Sequence, residues 1–142
     1  MYKIILTAID LTDDSSWAKS VPTAIELCQS TGARLDILTV LPDFGMSIVS
    51  QHFPKDYAEN AMAETVTKLE AFVREHVPES IETTVAVVQG TIYEEIIRVS
   101  QKVSADLIIV AASRPSLKDF LLGPNAARVV RHADCSVLVV RG

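Results

Sequence analysis

The chain has 142 residues, a hydrophobic fraction of 49%, a charged fraction of 22% and a net charge of −5. That length suits one domain over residues 1–142, with enough chain to bury a core. Its acidic balance and scattered Lys and Arg argue against a nucleic-acid surface, which needs clustered cations. A small anionic ligand stays open, because helix dipoles and a few local donors hold an anion without net positive charge.

Lys3 to Ile9 is an Ile-rich apolar run, the pattern of a strand covered on both faces. Asp10 to Ser16 is a polar turn full of N-capping residue types, and a helix is predicted from Ser16 to Ser30. Pro22 falls inside that helix and predicts a kink or an irregular first turn; Thr31 and Gly32 end it. Leu35 to Leu41 reads as a second buried strand closed by Pro42, and Asp43 to Phe53 as a long connection without periodicity. A helical stripe runs from about Pro54 to Val77, and Ile81 to Val88 suits an edge strand. After the Gln89-Gly90 turn come an amphipathic helix from Thr91 to Lys102, a strand from Leu107 to Ala111 and a loop from Ala112 to Lys118. A helix from about Asn125 to His132 and a strand from Ser136 to Val140 finish the chain. Strands alternating with helices predict an α/β fold: one doubly wound, five-stranded parallel sheet flanked by four helices, Rossmann-like in kind.

In such a sheet a ligand lies beyond the carboxyl ends of the strands, where the strand order reverses. Winding back across the first strand puts that crevice between strands one and four, at Ala8, Ile9 and Asp10 on one side and Ala111, Ala112, Ser113 and Arg114 on the other. Small and apolar residues around one acid suit a flat base in an apolar slot. Asp10 has two readings of equal weight: a ribose hydroxyl or bound water as partner, or the amides of its own turn. Asp13 and Asp14 read as first-turn acids. Gly123 permits close backbone approach, and Asn125 suits an N-cap or an amide donor. Neither GxxxxGK[ST] nor GxGxxG is present.

Catalytic groupings are poor. His52, His76 and His132 accompany no nucleophile on the ligand side, and neither GxSxG nor HExxH occurs. Cys28 and Cys135 lack disulfide-framework or zinc spacing and read as buried, reduced thiols; no metal site is expected. Trp17 and Tyr93 read as packing residues on helices. The apolar opening stops at Asp10, too short for the core of a secretion signal, and no later run reaches membrane-spanning length, so a cytoplasmic chain is expected.

These residues resemble the universal stress protein family over essentially the whole chain. Ile5-Leu-Thr-Ala-Ile-Asp is similar to the family's first strand, with Ala8 where proline is usual, and Leu35-Asp-Ile-Leu-Thr-Val to its second. Gly90 to Ile97 and Ala105-Asp-Leu-Ile-Ile-Val resemble its third helix and fourth strand. The closing Leu121-Leu-Gly-x-Asn-Ala-x-x-Val-Val-x-His-Ala-x-Cys-x-Val-Leu-Val-Val is most like the F/G-type subgroup. Nucleotide-binding members carry GxxGx9G[ST] after the fourth strand. By that resemblance Ala8, Ile9, Asp10 and Val40 line an adenosine pocket. Ala111, Ala112, Ser113 and Arg114 match the first two glycines, Gly123 matches the third, and Pro124, Asn125 and Ala126 open the helix beside the phosphates. The resemblance implies ATP or a related adenine nucleotide, with or without magnesium, at most slow hydrolysis, and a homodimer through the C-terminal strand. Pairing would cover Val137 and Val139 on an apolar edge. No nucleic acid or membrane partner is implied. Pro124 replaces Ser or Thr and offers phosphate neither a hydroxyl nor an N–H. The alternative is a member without nucleotide, acting as a dimerisation or interaction module.

Overall fold

The computed structural model describes residues 1–41, 57–112 and 123–142. Its elements are β1 (Ile4–Ala8), α1 (Ser20–Thr31), β2 (Arg34–Leu41), α2 (Tyr57–His76), β3 (Thr83–Gln89), α3 (Ile92–Lys102), β4 (Leu107–Ala111), α4 (Pro124–His132) and β5 (Ser136–Val140), with a 3₁₀ turn at Asp14–Ser16. All strand pairings are parallel, in the order β3-β2-β1-β4-β5. The chain winds outward from β1 to β3, and α3 carries it back across to β4. The reversal therefore lies between β1 and β4, as expected, and β3 and β5 are the edges.

Successive strand residues point to opposite faces, so each strand serves two cores. Ile5, Leu35, Ile37 and Ile109 pack with Val21, Ala24 and Cys28 of α1 and with Leu69 and Phe72 of α2. Leu6, Leu38, Ile108 and Val110 pack on the other face with Ile96 and Val99 of α3 and Ala126 and Val129 of α4. Cover on both faces explains the near-continuous apolar runs of β1, β2 and β4. The hydroxyls of Thr7 and Thr39, both buried, donate to the carbonyls of Ile109 (3.0 Å) and Ile9 (3.1 Å), which ties β1 to each neighbour.

Several details differ from the sequence expectations. The predicted helix from Ser16 begins only at Ser20, after the 3₁₀ turn, and Pro22 occupies its third residue. There the missing N–H would have had no intrahelical acceptor, so the outcome is an irregular start and not a kink. Trp17 lies in that start and not on a helix; its ring meets Phe72 edge-on with centroids 5.0 Å apart. Gly32 ends α1 at φ 77°, its N–H donating to the Cys28 carbonyl. Asn125 does not cap the last helix: Gly123 is the N-cap and Pro124 the first helical residue, where a fixed φ and no N–H are both tolerated. Cys28 is buried, but Cys135 only half-buried, and both are free thiols. The expected connection Asp43–Phe53 and most of the loop Ala112–Lys118 lie outside the described residues.

Candidate functional site

A cavity of about 560 Å³ opens at the carboxyl ends of β1, β2 and β4. Ala8, Ile9 and Asp10 follow β1 into its wall, Val40 enters from β2, Ala111 and Ala112 from β4, and Gly123 to Ala126 from the start of α4. Every site residue expected from the sequence that falls within the described residues thus lines the same cavity. Ser113 and Arg114 lie outside the described residues. The wall also holds Asp13, Ser15, Ser16, Ile92, Ile96 and Val110, which the sequence reading missed. Ile92 and Ile96 carried a usable signal, since residues four apart share a helix face and Ile92 opens α3. Which face α3 turned to the crevice was not readable along the chain.

The Asp10–Ser16 segment is held by its own short polar side chains. Asp10 Oδ1 accepts from the Thr12 amide (2.9 Å) and the Thr12 hydroxyl (2.6 Å). Asp13 Oδ1 accepts likewise from Ser15 N (3.0 Å) and Ser15 Oγ (2.6 Å), capping the 3₁₀ turn. The Ser16 hydroxyl accepts from the Asp10 amide (2.8 Å), and its single hydrogen has the carbonyls of Asp13 (2.7 Å) and Asp10 (2.9 Å) within reach. The local-turn role of Asp10 is therefore present. Its Oδ2 makes no hydrogen bond among the described residues, which leaves the same exposed carboxylate an acceptor for a ligand.

Opposite that segment stands the N-terminus of α4. The Gly123 amide donates to the Ala112 carbonyl at 2.7 Å, binding the helix to the end of β4. Pro124 has no N–H, and no side chain caps the helix. The amide of Ala127 makes the first intrahelical bond, to Gly123, at 3.0 Å. Asn125 and Ala126 therefore supply the first-turn amides available to a ligand among the described residues. The described wall holds two carboxylates, Asp10 and Asp13, and no Lys, Arg or His. No group of three or more His, Cys, Asp or Glu that could hold a metal occurs among the described residues. No described helix is long and apolar enough to cross a membrane.

The sequence matches the universal stress protein family over residues 1–141. It is 33% identical over 147 residues to universal stress protein G of Salmonella typhimurium, covering 99% of this chain and all of that relative. A solved universal stress protein in complex with cAMP shares the fold at a TM-score of 0.64 and 23% identity, over 99% of this chain and 97% of that one. Another, from Archaeoglobus fulgidus in complex with dAMP, does so at a TM-score of 0.63 and 18% identity, over 97% of both chains. With a matching parallel sheet and a family match along nearly its whole length, the chain belongs to the universal stress protein family.

Proposed function

We propose that this protein binds ATP or a related adenine nucleotide in the cavity at the ends of β1, β2 and β4 and acts in stress response. The observation that carries the reading is the convergence of separate segments on one cavity of about 560 Å³, a size suited to a small ligand. Ile9, Val40, Ala112 and Ile96 form apolar walls for a flat base, Asp10 offers an acceptor for a ribose hydroxyl, and the α4 amides face an anion. The cAMP and dAMP complexes of related folds support the same ligand class. On this reading the site turns nucleotide over slowly at most. We further read the chain as one cytoplasmic domain that dimerises through β5.

One observation favours a second reading, a family member that works without nucleotide: Pro124 removes a donor at the head of α4. Native mass spectrometry and calorimetric titration with adenine nucleotides separate the two. Saturable binding supports the nucleotide site, and no heat at millimolar ligand refutes it.

A further inference from the structure

Ile92, the first residue of α3, is 44% exposed. Single exposed apolar side chains are ordinary, and Met1 and Val130 are two such residues outside the cavity lining. Ile92 differs. It lines the cavity together with Ile96, one turn further along the same helix face and only 2% exposed. Ile9 and Val40 belong to the same lining, so an apolar wall runs from the core out to solvent and ends on Ile92. The start of α3 is held from two sides. The Gly90 amide donates to the Leu41 carbonyl at 3.0 Å, which ties the turn before α3 to the end of β2, next to Val40. The Glu95 amide closes the first helical turn onto the Thr91 carbonyl at 3.0 Å, and the Glu95 carboxylate pairs with Arg98 at 2.8 Å. A side chain on a helix start fixed in this way is placed more precisely than one on a free loop.

We infer, resting on the nucleotide reading above, that Ile92 is a specificity-determining residue of the site. Its exposed side chain becomes covered by the base and favours a two-ring purine over a one-ring pyrimidine. The base is the part of a nucleotide with apolar faces, whereas ribose and phosphates are polar and gain nothing from an aliphatic side chain. A purine has the larger face and covers more of Ile92. Covering the exposed part of such a side chain is worth about three- to tenfold in affinity.

The test is calorimetric titration of the full chain and of Ile92→Ala with two pairs of ligands, ATP with CTP and AMP with CMP. Within each pair the ribose and phosphates are the same and only the base differs. Ile92→Ala should weaken the adenine ligand about three- to tenfold and the cytosine ligand no more than about twofold. Ile92→Leu keeps the apolar area and should hold the adenine affinity within about twofold of the original chain. The urea midpoint of Ile92→Ala should stay near that of the original chain, because the side chain is exposed and alanine favours a helix. An unchanged adenine affinity in Ile92→Ala overturns the inference and leaves the nucleotide reading intact. So does an equal loss within a pair, which would show that position 92 acts through the shape of the helix start. Absence of binding by all four ligands to the original chain overturns the nucleotide reading and this inference together.

Discussion

Asp36→Asn is the substitution whose outcome the structure defines most closely. Asp36 is only 4% exposed, on β2. Its two oxygens accept from Arg34 Nε and Nη2, each at 2.8 Å, and Oδ1 also accepts from the Thr84 hydroxyl of β3 at 2.5 Å. Asparagine keeps the shape but has one acceptor oxygen, so its NH₂ faces a donor. Breaking a buried pair by removing one partner costs about 3–5 kcal/mol. The Arg34 side chain is 29% exposed and regains water when released, which lowers the expected loss to about 1–3 kcal/mol. In urea denaturation followed by Trp17 fluorescence, that corresponds to a midpoint lower by about 0.5–2 M. A second readout is the Cys28 thiol, pushed up to about 11 by burial first and by the Asp36 charge second. Removing the charge should lower that value while leaving it above 9.0, its ordinary value, because the thiol stays buried. A stability change below about 0.5 kcal/mol would refute the argument and mark the cluster as a solvated surface pair.

The same thiol predicts a loss of stability at alkaline pH. Folding favours the protonated form of Cys28, so its contribution is complete below pH 9 and is lost as pH rises towards 11, at most about 1.4 kcal/mol per pH unit; Cys28→Ala should flatten that slope in denaturation midpoints measured across the window. Gly90 has φ +143°, and a Cβ there would lie 2.9 Å from Glu95 Cγ, a side chain held by Arg98 at 2.8 Å. Gly90→Ala should therefore cost about 1–3 kcal/mol, more than Gly32→Ala, where the space is open and only the left-handed backbone is strained; equal midpoints for the two variants would dismiss the contact. Asp106 accepts from the amides of Lys3 (2.8 Å) and Ile4 (3.1 Å). Asp106→Ala should speed hydrogen exchange at those two amides while exchange at Leu6 and Thr7 stays slow, and unchanged rates at Lys3 and Ile4 would exclude the clamp.

Much of the fold could be read along the chain because its signals are local. Continuous Ile, Leu and Val in β1, β2 and β4 mark strands covered on both faces, and the stripes of α2 and α3 mark helices with one buried side. β4 and β5 begin and end where the pattern placed them. Boundaries failed where short polar residues offered rival hydrogen bonds. Asp13 and Ser16 diverted the start of α1 into a 3₁₀ turn, and Gly123 rather than Asn125 became the cap of α4 because its amide reached Ala112.

The sequence by itself determined the alternation of strands and helices, the family and the segments that would end at a crevice, since each depends on neighbours within a few residues. Tertiary structure alone decided that Ile92 and Ile96 of α3, and Asp13, Ser15 and Ser16 of the turn after β1, share the cavity wall with Val40 and Ala126. That grouping depends on how α3 packs across β2 and how the turn closes over β1. No periodicity within one segment encodes which face of one element meets another element far along the chain.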